Sequence, residues 1–361
     1  MRIALLSFHF AEYSLALARG LSYSHQVLLF LGAENALTEL GNLPFDEDSL
    51  RVRCLRHYTF RQSGCLGNVA EIIREIKRFA PDVVHCQEIY RDYLTPVLPF
   101  LKRRPLVLTI HDHKPHTGTD SRLPIRTRLH RFILRSAPDA VVVHGERIRE
   151  ETESLLPWLR GRVYTVPHGM LGDGAGPFQT DWEEGVLLFF GRVNRYKGLP
   201  YLVEAVEILK GRGLPIKVVI AGIGPDLALW RERLLSDPVY TLIEEYIPAT
   251  RVPHLFRQAH VVVLPYTDAT QSGVASFALT FGRPVVASDV GSLREMVRPG
   301  VNGLLVPACH SEALAEALER VVTNRQMSER FAAESWALGR GELCWSRIAE
   351  LTTGIYRSVM S

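Results

Sequence analysis

The sequence predicts two doubly wound α/β domains joined by a short linker, and three observations predict it. The chain has 361 residues, about twice the length of a typical single domain. Short apolar runs alternate with amphipathic segments twice over. A stretch dense in glycine and proline, residues 167–182 (PHGMLGDGAGPFQTDW), separates the two series and marks a linker.

In the first series the expected strands are Ile3–Leu6, Val27–Leu31, Asp82–Cys86, Leu106–Ile110, Ala140–Val143 and Val163–Val166, with helical patterns at Val69–Phe79 and Ile125–Leu134. Runs that are apolar on both faces and separated by helices belong to a parallel sheet covered on both sides. The second series has strands at Val186–Phe190, Lys217–Ala221, Tyr240–Glu244, Val261–Pro265, Pro284–Ser288 and Gly303–Val306. Its first helix, Tyr201–Lys210, carries Leu202, Ala205, Val206 and Leu209 on one face; helices Glu312–Val322 and Trp345–Ser358 close the chain. The expected division is an N-terminal domain 1–168, a linker 169–184, a C-terminal domain 185–342 and a terminal helix, 343–361, returning to the N-terminal domain. Two such units in sequence place a ligand cleft at the carboxyl ends of two sheets.

Composition narrows the partners. With 47% hydrophobic and 22% charged residues and a net charge of +3, nothing points to nucleic acid. Between Lys102 and Arg135, however, nine Lys and Arg face only Asp112 and Asp120, an excess suited to phosphate or an anionic membrane surface. Five cysteines contain no CxxC pair; Cys86 and Cys344 read as buried free thiols of a reducing compartment. The N-terminus enters a strand without a signal pattern, and no apolar run approaches the roughly 18–20 residues that span a bilayer. The expectation is a cytoplasmic protein that at most rests on the inner face of a membrane.

Two segments carry chemistry. In residues 189–199 (FFGRVNRYKGL) a strand ends at Gly191, a loop brings Arg192 and Arg195, and Lys197-Gly198 opens a helix. Cations at the end of a parallel strand suit a diphosphate: guanidinium forks onto two oxygens and ammonium acts as a point charge. A solvated basic loop is the bland alternative. In the second, strand Val261–Pro265 leads through Tyr266–Gln271 to a helix beginning at Ser272-Gly273-Val274. Its free amides and dipole make a second anion site, although Ser272 also reads as an ordinary N-cap. Two anion sites at strand ends of one sheet favour a bound diphosphate.

The run Gly191–Leu199, the segment Ala221-Gly222-Ile223-Gly224-Pro225 and the run Phe281–Glu295 (FGRPVVASDVGSLRE) together resemble glycosyltransferase family 4. Thr109–His116, Val141–His144 and Val166–Gly169 match it in position in the first half. The resemblance implies a GT-B fold, two Rossmann-like domains with an interdomain cleft, and retaining, metal-independent transfer from a nucleoside diphosphate sugar. It implies that Arg192 and Lys197 bind the donor diphosphate, with Gly191, Gly222, Ile247, Thr270 and Gln271 and the Ser272–Val274 amides lining the donor site. His111 would contact the donor sugar or acceptor, with His116 the runner-up. His9 and Glu12, in the loop that replaces a Gly-rich segment of many relatives, are expected on the acceptor side.

One departure stands out. The family's two glutamates, eight apart, fall here on Ala269 and Phe277, which accept no hydrogen bond. Gln271–Val274 resembles a Gln-Ser-Gly-Val replacement seen in some branches, and Asp268 is a carboxylate one residue out of register. Other patterns are discounted. Asp46-Glu47-Asp48 has the Asp-x-Asp form of metal-dependent transferases but reads as a solvated acidic turn, and His111, His113 and His116 lack the regular spacing of a metal site. His144 reads as a structural histidine. Gly222-x-Gly224 lacks a third glycine at dinucleotide spacing, and Pro225 suits a helix start.

The function expected is hexosyl transfer to an acceptor hydroxyl in glycan, glycolipid or glycosylated-metabolite biosynthesis, with a sugar, lipid-linked or small-molecule acceptor and no cofactor or metal. A non-catalytic nucleotide-sugar binder and a GT-B-fold epimerase or phosphorylase are the alternatives. Arg128, Arg131 and Arg135 lie on one helical face beside Leu129, Phe132 and Ile133. They are either solvated above a packed stripe or a peripheral membrane contact.

Overall fold

The computed structural model describes residues 1–58, 62, 64–88, 94–114, 124–172 and 178–361. The chain forms two compact units. The first comprises Met1–His113, Arg122–Gly169 and Cys344–Ser361, and the second is built from Met170–Leu343.

In the first unit the chain runs β1 (Arg2–Ser7), α1 (Ala11–Ser22), β2 (Gln26–Gly32), α2 (Ala33–Leu40), β3 (Leu50–Leu55), α3 (Gly64–Phe79) and β4 (Val83–Gln87). It continues α4 (Leu94–Leu101), β5 (Leu106–Thr109), α5 (Ile125–Ser136), β6 (Ala140–Val143), α6 (Glu146–Leu155) and β7 (Val163–Thr165). All neighbours are parallel, in the order β3-β2-β1-β4-β5-β6-β7. Strands β4, β5 and β6 are buried throughout, as their apolar sequences require when helices cover both faces. Helix α3 buries Cys65, Asn68, Ile72, Ile76 and Phe79, the three- and four-residue spacing of one helical face. Strand β3 alternates apolar and charged residues (LRVRCL) with its arginines less buried. It is an edge strand, and a search for continuous apolar runs passes over it.

The second unit contains β8 (Val186–Phe190), α7 (Leu199–Gly211), β9 (Lys217–Ala221), α8 (Arg231–Ser236), β10 (Tyr240–Ile243), α9 (Val252–Gln258) and β11 (Val261–Leu264). Then follow α10 (Gly273–Thr280), β12 (Val285–Ser288), α11 (Leu293–Met296), β13 (Gly303–Val306), α12 (Ser311–Val322) and α13 (Arg325–Arg340). The parallel order is β10-β9-β8-β11-β12-β13. Helix α13 has no counterpart in the sequence-based expectation. Its buried face includes the small residues Ala332, Ser335 and Gly339, a weak apolar signal, while Asn324 caps it by accepting from the Met327 amide at 2.9 Å. Pro225 opens a turn rather than a helix, and the next regular helix is α8.

The later part of the predicted linker packs on the second unit. Trp182 stacks on His260 at an interplanar angle of 10°, and the buried Arg283 donates to the Gln179 carbonyl at 3.0 Å. The last helix, α14 (Trp345–Met360), belongs to the first unit. Its Trp345 carbonyl comes so close to Gly20 of α1 that a Cβ there has no room, and its Tyr356 hydroxyl lies 2.7 Å from His85 Nδ1. Among the described residues no helix is long and apolar enough to cross a membrane. Cys86 is buried, Cys344 half-buried and Cys309 exposed.

Candidate functional site

In an open α/β sheet, ligands bind beyond the carboxyl ends of the strands where the strand order reverses. In the second unit the order reverses between β8 and β11. The two segments singled out in the sequence, 191–199 and 266–274, follow these two strands. At the end of β8 the Gly191 amide donates to the Ala221 carbonyl at 2.9 Å, and Val193 donates to Ile223. Gly222, at φ 144°, lies against the Gly191 carbonyl, so a Cβ there would collide with backbone. The two loops after β8 and β9 are therefore seated directly on each other.

Lys197 closes a short 3-10 turn and is 9% exposed. Arg192, by contrast, is exposed. The Lys197 ammonium donates to the Tyr266 hydroxyl at 2.7 Å and lies 3.9 Å from the centre of that ring. Burial pushes the Tyr266 phenol well above its usual range, so it stays neutral. The same hydroxyl is 3.3 Å from Ser272 Oγ, which caps α10 by accepting from the Ala275 amide at 3.2 Å. Tyr266 thus links the buried cation after β8 to the helix start after β11. Ser272 is an N-cap, and that role coexists with amides available at the helix start. Beside it, Thr270 Oγ1 and Gln271 Oε1 are buried without a hydrogen-bond partner among the described residues. Thr270 is held from the other side, its carbonyl accepting from the Ser292 amide at 3.1 Å. Ile247 is buried and Tyr246 exposed. Gly273 is half-buried and Val274 buried.

In the first unit the order reverses between β1 and β4. His9 is exposed in the loop after β1 and Glu12 is half-buried in the first turn of α1. The start of α1 is already occupied: Ala11 donates to Asn35 Oδ1 at 2.9 Å and Glu12 to Glu39 Oε2 at 3.0 Å. After β5, His111 is buried, with Nε2 2.8 Å from Gln87 Oε1 at the end of β4. His144 Nδ1 donates to the Val166 carbonyl at 2.9 Å, and His168 Nδ1 to Gly169 O at 2.7 Å. The rings of His111, His144 and His168 adjoin in series, 5.0 and 5.1 Å apart, with Tyr13 against all three. Burial pushes His144 down to about 4 and His168 to about 3. Burial, then the neighbouring His144, holds His111 well below the usual histidine range. All three are neutral near pH 7. His113 pairs with Glu151 at 2.8 Å; His116 lies outside the described residues. Asp46 accepts from the Val52 amide at 2.7 Å and pairs with Arg53, and Glu47 pairs with Arg19 at 2.8 Å. These carboxylates hold the approach to β3.

Two domain families tile the chain. Residues 11–170 match Glycosyltransferase Family 4, and residues 184–324 match Glycosyl transferases group 1. The chain belongs to the family 4 glycosyltransferases. It is 26% identical to alpha-D-kanosaminyltransferase of Streptomyces kanamyceticus, over 81% of this chain and 82% of that one. Its fold is that of GT-B enzymes. Sucrose-phosphate synthase from Thermosynechococcus elongatus superposes with a TM-score of 0.73 at 20% identity, over 99% of both chains. Anabaena HepE, solved with UDP and glucose, superposes with a TM-score of 0.70 at 18% identity, over 99% of this chain and 100% of that one.

In this glycosyltransferase the two positions where the resemblance places glutamates, 269 and 277, hold apolar side chains. Ala269 is buried, and the Phe277 ring lies 5.5 Å from Phe256 and 6.3 Å from Phe190. Phe277 is half-buried, with one side against these rings. The basic helix also differs from expectation. Arg131 and Arg135 are buried and converge on Glu88, Arg135 at 2.7 Å, while also donating to the carbonyls of Asp112 and His113. They brace the His111 loop and do not face solvent. The exposed ridge of α5 is instead apolar, with Ile125 83%, Leu129 57% and Phe132 56% exposed. Ile133 is half-buried, and Arg122 lies outside the described residues. Sequence reading missed Tyr266, Gln87 and Glu88. The signal was present, since each is a polar-tipped residue at or just beyond the carboxyl end of a buried strand.

Proposed function

We propose that the protein transfers a hexosyl unit from a nucleoside diphosphate donor to an acceptor hydroxyl, with retention and without a metal. The acceptor would be a growing glycan, a lipid-linked sugar or a metabolite. The observation that carries this reading is the buried Lys197 ammonium, anchored on Tyr266 beside the start of α10 at the strand-order reversal of the second unit. A fixed cation and oriented amides in a largely desolvated setting meet charge as it develops on a departing diphosphate. Arg192, exposed after β8, adds a forked donor to the same group. Thr270 and Gln271, with polar atoms left unpaired, would take the sugar hydroxyls and so replace the missing glutamates.

In the reaction the bond from the anomeric carbon to the diphosphate oxygen breaks and the acceptor oxygen bonds to that carbon on the same face. The acceptor proton passes to the departing phosphate oxygen. Lys197 and Arg192 stabilise the diphosphate, and neutral His111 accepts a hydrogen bond from a sugar hydroxyl. The likeness to HepE, solved with UDP and glucose, makes uridine diphosphate the first nucleotide to try.

The test is a panel of nucleotide sugars with and without EDTA, read by proton NMR of the anomeric signal. The reading requires a released nucleoside diphosphate and a product with the donor's anomeric configuration in both conditions. An unchanged donor would indicate a binding protein, and a sugar altered without acceptor an epimerase.

The apolar ridge of α5 supports a second proposal, peripheral contact with an anionic membrane that carries a lipid-linked acceptor. Phe132 meets Trp158 edge to face at 5.7 Å, and Arg126 and Arg128 are exposed along the ridge. This pairing of apolar and cationic groups suits a headgroup boundary.

A further inference from the structure

The end of β4 controls His111 twice over. The first hold is on the backbone: the Glu88 amide donates to the Thr109 carbonyl at 2.8 Å, while the Glu88 carboxylate holds Arg131 and Arg135, which in turn donate to the carbonyls of Asp112 and His113. The second hold is on the ring itself. Gln87 is 2% exposed and its Oε1 lies 2.8 Å from His111 Nε2. An amide oxygen only accepts, so Nε2 must carry the ring proton and Nδ1 must present a bare lone pair. That Nδ1 is buried and has no hydrogen-bond partner among the described residues. The ring cannot easily turn away, because Phe10 lies across it at 4.0 Å and Tyr13 meets it edge-on at 5.1 Å.

A buried acceptor left without a donor is costly unless something supplies one. We propose that Gln87 is a positioning residue whose side-chain carbonyl locks His111 in the Nε2–H tautomer, so that Nδ1 accepts a hydrogen bond from a hydroxyl of the sugar substrate. The proposal rests on the transferase reading for the identity of that hydroxyl. It also explains why an amide stands at position 87. A carboxylate would accept the same Nε2–H bond but stabilise the imidazolium, and an imidazolium has no lone pair at Nδ1. A neutral partner keeps the acceptor present. Burial and the neighbouring His144 act in the same direction on His111.

The test pairs two variants with two readouts. Long-range nitrogen–proton NMR of histidine-labelled protein reads the tautomer without substrate. The expected result is Nε2–H for His111 in the wild type, and a shift towards Nδ1–H in Gln87→Leu. Kinetically, Gln87→Leu is expected to lower kcat/KM about five- to tenfold, the size of one hydrogen bond, while affinity for the nucleoside diphosphate without sugar is unchanged. Gln87→Glu keeps the Nε2–H tautomer at high pH and introduces an acid limb, with kcat/KM falling about tenfold per pH unit below a raised His111 pKa. A merely structural role would not create that limb, and it remains readable should Gln87→Leu fail to fold. Nδ1–H in the wild type, or a Gln87→Glu pH profile identical to wild type, overturns the proposal. A wild type inert towards every nucleotide sugar overturns the transferase reading, and with it the role given to the hydroxyl, whatever the tautomer.

Discussion

Replacing Lys197 by methionine keeps most of the buried volume and removes one charge. Lys197 is 9% exposed and its ammonium is fixed by the Tyr266 hydroxyl at 2.7 Å, so little reorganisation is needed when charge develops on the leaving diphosphate. Two charges about 4 Å apart at an effective dielectric near 20 interact by about 4 kcal/mol. Only the part that grows in the transition state affects kcat, and removal of one preorganised donor typically costs about 3 kcal/mol. The expected loss in kcat is therefore about a hundredfold. Stability should change far less. The Tyr266 hydroxyl keeps Ser272 Oγ at 3.3 Å, limiting the unpaired-group penalty to about 1 kcal/mol, or about 2–4 °C in Tm for a domain of this size. The assay is steady-state turnover at saturating donor, with a melting curve for each protein. A folded Lys197→Met variant with kcat within about threefold of wild type would refute the assignment of this ammonium to the leaving group.

Placing a carboxylate where the resemblance expects one, with Phe277→Glu, should destabilise the protein by about 2–4 kcal/mol, because the aromatic contacts with Phe256 and Phe190 are lost and a carboxyl is placed against apolar rings; urea unfolding measures it, and a gain in activity would count against the packing explanation. The buried histidines predict acid sensitivity. With His144 pushed down to about 4 and His85 and His168 to about 3, the unfolded chain binds more protons than the folded one from there up to the ordinary histidine value. Stability is then full above about pH 6.5 and falls as pH drops, by up to about 1.4 kcal/mol per pH unit for each histidine. Urea midpoints that do not move between pH 7 and pH 5 would contradict this, and His168→Asn should flatten the slope. On anionic vesicles, the double change Leu129→Ser and Phe132→Ser should abolish co-sedimentation with the fold intact, whereas Arg135→Ser should lower Tm by removing the nearer of the two cations that hold the buried Glu88; vesicle binding indifferent to the ridge removes the membrane proposal.

How much of this was legible beforehand differs between fold and site. Strands β4, β5, β6 and β11 announce themselves because a sheet covered on both faces demands unbroken apolar runs, and Val261–Leu264 can be little else. Edge strand β3 and helix α13 do not, since one alternates with arginine and the other buries alanine, serine and glycine. At the site, Arg192, Lys197 and the Ser272–Val274 helix start could be read because cations and small residues after a strand have a local chemical meaning. What joins them could not. Tyr266 bridges positions 69 and 6 residues away in sequence, and that link exists only once β8 and β11 lie side by side. The α5 arginines failed for the same reason. Helical spacing correctly put Arg131 and Arg135 near one face, but Glu88, 43 and 47 residues away, turned that face inward.

Calorimetric titration of UDP, GDP, ADP and CMP in EDTA, against wild type, Arg192→Ala and Lys197→Met, tests the diphosphate site itself. One nucleoside diphosphate is expected to bind the wild type without metal, and both variants to weaken it at least tenfold, each having lost a charge-assisted contact. Failure of every nucleotide to bind, or equal affinity in all three proteins, would contradict a diphosphate site at the strand-order reversal of the second unit.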